Sequence, residues 1–401
     1  MKITAIDDLH CDAGWRTLSF LKISTDAGVT GYSEYNEGYG SAGLTGVIRR
    51  LGEGLIGEDP RPIERISATL YQRTRHAPGG MNQQAIAAIE NALLDLKGKA
   101  LGVPVYELYG GPVRTRIPLY WSHCGTYRLH HAEVMGVAPL KDLDGVRALG
   151  REVAERGFRA LKTNIFLFGD GGPKLHMLGF GYNPGDGPEL NWSREVVEAL
   201  RAQLIAFREG AGPDVGIHLD LNFNFKTEGY LQVCRALDDL RLTWFEIDSY
   251  DPAALAEIRR SLKTPVASCE SLFGRRQFRP FFEQQSMSVA IVDVPWNGLA
   301  ESLKIAAMAE AYEVNTAPHN FYGHLSTLMS AHFAATVPNF RVMEIDIDDV
   351  PWKDDLVSEP PRIEDGHLIL PTGPGWGAEL NEEAVRAHPP KGARRPTERP
   401  G

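Results

Sequence analysis

Six ionisable residues recur at a nearly constant interval through the second half of the chain, each closing a short apolar run. Asp220 ends VGIHLD, Glu246 ends LTWFE, Glu270 ends PVASCE, Asp293 ends VAIVD, His319 ends NTAPH and Glu344 ends RVME. Subtracting successive numbers gives steps of 26, 24, 23, 26 and 25 residues. A strand, a helix and their two connections take that length, so the six fall at equivalent places on six successive strands. Amphipathic stretches such as Arg194 to Phe207, Ala253 to Arg260 and Ala300 to Ala311 lie between apolar runs. Strands alternating with helices require a parallel sheet, and seven or eight such units close it into an α/β barrel. The carboxyl ends of barrel strands share one face, so the six polar groups are expected in one pocket.

A lone Asp or Glu at a strand end usually caps a helix or sits in solvent. Six in phase ask for another explanation. Asp220, Glu246 and Glu270 would repel one another strongly unless a cation lay among them. Oxygen donors without Cys or His suit a hard divalent ion, and Mg²⁺ is expected, one per subunit. Asp293 and His319 follow on neighbouring strands, where a carboxylate can orient an imidazole and raise its basicity for general acid–base work. One unit earlier, RALKTNIF places Lys162 and Asn164 two residues apart on one face of a strand. Beside a bound carboxylate, Lys162 can neutralise charge or carry a proton.

The rest of the chain frames this array. Leu18 to Ser24 and Val29 to Glu34 read as a hairpin turning at Asp26-Ala27-Gly28, and Gln83 to Leu101 reads as a helix ended by Gly102 and Pro104. Gly110-Gly111-Pro112 reads as a hinge. The Gly-, Pro- and Asp-rich stretch from Phe166 to Leu190 is too long for an ordinary connection and reads as a lid or interface loop. The expected organisation is a first domain over 1–112, a barrel over 113–350 and a segment over 351–401 that returns to the first domain. Its tail is expected to be disordered from about 388, so the basic cluster Lys391 to Arg399 reads as frayed chain.

The sequence has 401 residues and a formal net charge of −10, with no basic concentration fit for phosphates. No nucleic-acid partner is expected. Four scattered cysteines (Cys11, Cys124, Cys234, Cys269), no leader-like start and no long apolar run give the expectation of a cytoplasmic protein with reduced thiols and no membrane partner.

The Asp-Glu-Glu trio on three consecutive strands, followed by Asp and His on the next, resembles the mandelate racemase subgroup of the enolase superfamily. ENALLDLKGKALGVPVYELYGG (Glu90 to Gly111) and GVTGYSE (Gly28 to Glu34) look like pieces of that subgroup's capping domain. The resemblance implies a modified (β/α)₇β barrel under an α+β cap formed by both ends of the chain, with Mg²⁺ on Asp220, Glu246 and Glu270. It implies abstraction of the proton next to a substrate carboxylate and an enediolate intermediate. His319 would be the base, Asp293 its orienting partner, Lys162 a further catalytic group, and a protonated Glu344 a hydrogen-bond donor to the carboxylate. It also favours a homo-oligomer, a dimer or an octamer.

Two departures bear on the reaction. Asn164 stands where related members carry a second lysine, and Asn222 stands where others carry a base histidine. An amide abstracts no proton, so the face opposite His319 lacks an obvious base beyond Lys162. This favours dehydration of a sugar acid to a 2-keto-3-deoxy acid over racemisation, which needs acid–base groups on both faces. The alternatives are a racemase, epimerase or cycloisomerase and, more remotely, a non-catalytic ligand-binding barrel. Trp15, Arg16, Tyr35, Asn36, His123, Tyr182 and Trp296, with Asn164 and Asn222, are candidate contacts for the small carboxylate substrate, each with a packing role as the competing reading.

Overall fold

The computed structural model describes residues 1–169, 171–181 and 187–391. The chain opens with three antiparallel strands, Ile3–Ala13, Arg16–Thr25 and Thr30–Tyr35. The hairpin read from sequence is therefore the second and third strands of a meander. Helices Leu44–Gly52, Ile63–Arg73 and Gly80–Leu101 follow. The last packs so closely on the third strand that a Cβ on Gly31 would stand 2.1 Å from the carbonyl oxygen of Ala92. Only glycine fits there.

Eight parallel strands come next among the described residues: Arg116–Ser122, Ala160–Thr163, Gly216–Asp220, Trp244–Glu246, Val266–Ser268, Val289–Asp293, Asn315–His319 and Met343–Asp346. Each pairs with the next in chain order up to Asn315–His319, and Met343–Asp346 pairs back onto Arg116–Ser122. A parallel bridge between Thr316 and Phe340 closes the remaining gap. Among the described residues seven crossover helices separate the eight strands: Leu143–Glu155, Arg194–Ala211, Thr227–Leu237, Pro252–Arg260, Gly274–Glu283, Leu299–Ala311 and His324–Thr336. Local chemistry starts several of them, as where Ser193 accepts the N–H of Val196 and Asp251 those of Ala253 and Ala254. The barrel interior is filled below the mouth by Tyr120, Ala160, Trp244, Ala267, Val289, Ile291 and Ala317, with His218 stacked 3.6 Å from Trp244.

Beyond Val350 the chain is more ordered than its composition suggests. It first adds a hairpin, Ile363–Glu364 and His367–Ile369, whose second strand pairs antiparallel with Arg116–Ser122. It then returns to the first strand through the helix Glu382–Ala387. His388 stacks on Trp352 at 4.5 Å, and its carbonyl accepts the N–H of Asp12. The tail expectation over 392–401 lies outside the described residues. Within Phe166 to Leu190 the structure places a short hairpin, Phe166–Gly169 with Gly172–Leu175. The four cysteines are buried free thiols. Among the described residues no helix is long and apolar enough to cross a membrane.

Candidate active site

The barrel register delivers the in-phase residues to one mouth. Asp220 sits opposite Glu246, and Asp293 opposite His319, as Cα partners in adjacent strands. Inward side chains alternate, so Ala160 and Lys162, His218 and Asp220, Trp244 and Glu246, and Ile291 and Asp293 all share the interior face. Glu270 breaks that parity, because alternation from Ala267 would turn it outward. Cys269 resolves this with a φ of 90°, a left-handed conformation rare for a non-glycine residue, and Glu270 swings to within 3.5 Å of His319. His123 and Asn222, at other strand ends of the same mouth, also have positive φ, 46° and 44°.

Lys162 is the hub of the anionic side. Its ammonium lies 2.8 Å from Glu246, 2.8 Å from Glu344 and 3.4 Å from Asp220. Burial would lower its pKa, but Glu246 and Glu344 reverse this and hold it well above the ordinary lysine value. Trp244 donates its indole N–H to the other oxygen of Glu246 at 3.0 Å. Burial, reinforced by Asp220 and Glu270 and only partly offset by Lys162, pushes Glu246 up to about 8. Glu270 is also raised, first by burial.

Glu344, expected to donate a hydrogen bond to the substrate carboxylate, is ringed by donors of the protein itself. The N–H of Asn320 reaches it at 2.7 Å, Ser122 donates its hydroxyl, and Lys162 completes the set. Burial alone would raise its pKa, yet Lys162, His319 and His123 together hold it well below the usual carboxylate range.

Across the mouth, His319 Nδ1 lies 2.6 Å from Asp293 Oδ2. Burial would lower the imidazole pKa, but Glu270, Asp293 and Glu344 raise it to about 10. Trp296 meets the ring edge-on at 5.4 Å and Phe321 tilts over it at 5.0 Å, giving it an apolar wall. On the opposite side, Asn164 donates to Asn222 at 3.2 Å and accepts from Thr126 at 2.7 Å.

The other candidates divide. His123 faces the mouth rim with Nδ1 2.9 Å from Asp346. Arg16 is buried in ion pairs with Asp346 (3.1 Å) and Asp349 (2.5 Å) and donates to the carbonyl of Phe321, so its guanidinium is committed within the protein. Trp15 stacks on His131 at 5.1 Å and tilts against Tyr127 at 4.6 Å. Tyr35 turns into the cap and bonds Thr45, and Asn36 is buried beside it. Tyr182 lies outside the described residues. Sequence reading missed Ser122, Asn320 and Tyr322. The signal available was adjacency, since Asn320 and Tyr322 follow His319 closely and Ser122 directly precedes His123.

The donor chemistry fits a hard divalent cation. Asp220, Glu246 and Glu270 are all oxygen donors, and beside them Asp248 has a buried oxygen, Oδ2, with no hydrogen-bond partner. As placed, no three His, Cys, Asp or Glu side chains among the described residues close around one point.

Residues 145–384 match the family model described as enolase C-terminal domain-like. Residues 13–110 match that of the mandelate racemase/muconate lactonizing enzyme N-terminal domain. The chain belongs to the enolase superfamily, in its mandelate racemase subgroup. Among superfamily relatives, D-xylonate dehydratase of Haloferax volcanii is 30% identical over 96% of this chain and 89% of its own length. D-galactonate dehydratase of Variovorax paradoxus is 30% identical over 96% and 94%. A Burkholderia xenovorans superfamily structure, provisionally named an L-alanine-DL-glutamate epimerase and bound to magnesium and fumarate, superposes with a TM-score of 0.95. It is 52% identical and covers 98% of this chain and 97% of that one.

Proposed function

We propose that this enolase-superfamily protein is a Mg²⁺-dependent dehydratase of a sugar acid, acting from one face of its substrate. The observation that carries the reading is the asymmetry of the mouth. A His–Asp dyad stands on one side, and two mutually bonded amides with a carboxylate-clamped lysine stand on the other. The relatives named for D-xylonate and D-galactonate dehydration support the same class.

Asp220, Glu246 and Glu270 would hold the cation, which supplies the positive charge that makes a proton next to a carboxylate removable. Lys162 balances the remaining carboxylate charge and orients Glu246 and Glu344. A cation on Glu270 would cancel the negative charge that most strongly keeps the imidazole protonated, and His319, aimed by Asp293 through Nδ1, then takes the α-proton at Nε2. The same imidazolium then gives a proton to the departing β-hydroxyl. Water leaves, and the enol ketonises to a 2-keto-3-deoxy acid. Trp296 and Phe321 keep bulk water off the imidazole.

A second reading, inversion at the α-carbon, is favoured by the name given to the Burkholderia protein. It requires Lys162 to release and take up a proton on the far face, and the clamp of three carboxylates opposes that release. A screen of acid sugars with Mg²⁺ separates the two. Dehydration yields a keto acid that reacts with semicarbazide. A hit whose optical rotation changes with no keto acid formed overturns the dehydratase reading.

A further inference from the structure

The strand carrying Glu246 does not stop pairing there. Ile247 donates its N–H to Ala267 at 3.0 Å and Asp248 donates its own to Asn222 at 3.2 Å, so the backbone stays extended past the last carboxylate. Side chains two apart on an extended chain share a face, so Asp248 projects into the mouth one step above Glu246. Asn164 stands in the same relation to Lys162, and Asn222 to Asp220. Where those two positions carry amides bonded to each other, the third carries a carboxylate.

Asp248 is 4% exposed, and its Oδ2 has no hydrogen-bond partner. Its carboxyl lies within hydrogen-bonding reach of Glu270 and faces Asp220 and Glu246. Burying a fourth carboxylate against three others, with one oxygen unsatisfied, is unfavourable unless the group takes up a proton or a cation supplies the missing partner, and only a cation serves all four carboxylates at once. Ion pairing does not relieve it, since Lys162 is spent on Glu246, Glu344 and Asp220.

We propose that Asp248 is a fourth carboxylate ligand of the divalent-cation centre, binding the ion with Asp220, Glu246 and Glu270. This rests on the reading of those three as cation ligands. It adds a donor that turns an otherwise orphaned oxygen into part of the site.

The test uses the full chain stripped with chelator and titrated with Mg²⁺ alone by calorimetry, with Mn²⁺ followed by electron paramagnetic resonance as a second probe. Asp248→Asn is expected to weaken binding of both ions by at least about tenfold. The rise in melting temperature that Mg²⁺ gives over the chelated protein is expected to shrink in the same variant. Asp248→Ser, which removes the carboxylate with less bulk, is expected to behave alike. Binding within twofold of wild type in both variants overturns the assignment and leaves Asp248 as an acceptor for a substrate hydroxyl. No substrate enters these measurements, so they stand whether or not dehydration is found. If Glu246→Gln also leaves Mg²⁺ binding unchanged, the cation lies elsewhere and both assignments fall.

Discussion

Tyr322 and His319 meet at one atom, the phenol hydroxyl and the imidazole Nδ1 each lying 2.6 Å from Oδ2 of Asp293. The N–H of Trp296 holds the other oxygen at 2.7 Å, so three donors fix the carboxylate and, through it, the plane and tautomer of the ring. Asp293→Asn places an amide where an acceptor is needed. It is expected to lower kcat by about 10³- to 10⁴-fold. Tyr322→Phe removes one of the three donors and is expected to cost about ten- to a hundredfold in kcat with little change in KM. Both should slow exchange of the substrate α-hydrogen with deuterated solvent in the same order. Wild-type exchange in Asp293→Asn would move the base away from His319.

Glu246→Gln tests the cation reading directly. The amide keeps an oxygen for Lys162 but removes one negative charge, and Mg²⁺ affinity is expected to fall by at least about tenfold while the circular dichroism spectrum is retained. Calorimetry in the absence of substrate reads the change. An unchanged affinity would remove Glu246 from the ligand set.

Arg16→Met examines the link between cap and barrel. The variant leaves Asp346 with His123 and Tyr127, and Asp349 with Lys353, in place of a buried guanidinium. Breaking a buried pair from one side costs about 3–5 kcal/mol, and the surviving partners place this loss near about 3 kcal/mol. The denaturant midpoint should fall accordingly, with Arg16→Lys recovering part of it. A midpoint equal to wild type would show that the pairs do not fasten the cap.

A pH effect follows from His332, far from the mouth. Its Nδ1 accepts the N–H of Tyr106 at 3.1 Å, so Nε2 carries the proton that reaches the carbonyl of Trp376 at 3.2 Å. Burial lowers its pKa from 6.5 to about 4. Between those values the unfolded chain binds a proton that the folded chain refuses, so this contribution to stability is full above 6.5 and lost as pH falls toward 4. The loss amounts to about 3 kcal/mol. Glutamine offers the same acceptor and donor without titrating. The margin of wild type over His332→Gln should therefore shrink by that amount from pH 6.5 to 4, read by denaturant unfolding at each pH. A constant margin would show that the ring is not held neutral.

The barrel was legible because its strands are apolar runs ending in charge at a fixed period, and a fixed period of that length admits few folds. The mouth was legible one tier deep. Asp220, Glu246, Asp293 and His319 end their runs, so composition marks them. Asp248 and Asp346 lie two residues past Glu246 and Glu344, beyond the end of each apolar run, although Asp248 is still bonded to the neighbouring strand end and Asp346 is still in its strand. The donors around Glu344 could not be read at all, since Lys162, Asn320 and Ser122 come from three other places in the chain. Nor could the turn at Cys269 that brings Glu270 inward, because a positive φ at cysteine has no compositional mark.

Glu34, on the third strand of the cap, accepts the N–H groups of Gly323 at 2.6 Å and Ser326 at 2.9 Å, the start of the helix that follows His319. Arg16, on the second strand, holds the carbonyl of Phe321 in the same loop. A laboratory that grafts another relative's capping hairpin onto this barrel to change its substrate would therefore be editing the mounting of its histidine as well. Chimeras that keep Glu34 and Arg16 retain that mounting, and those that replace them need second-site changes between Asn320 and Ser326 before any altered selectivity can be scored.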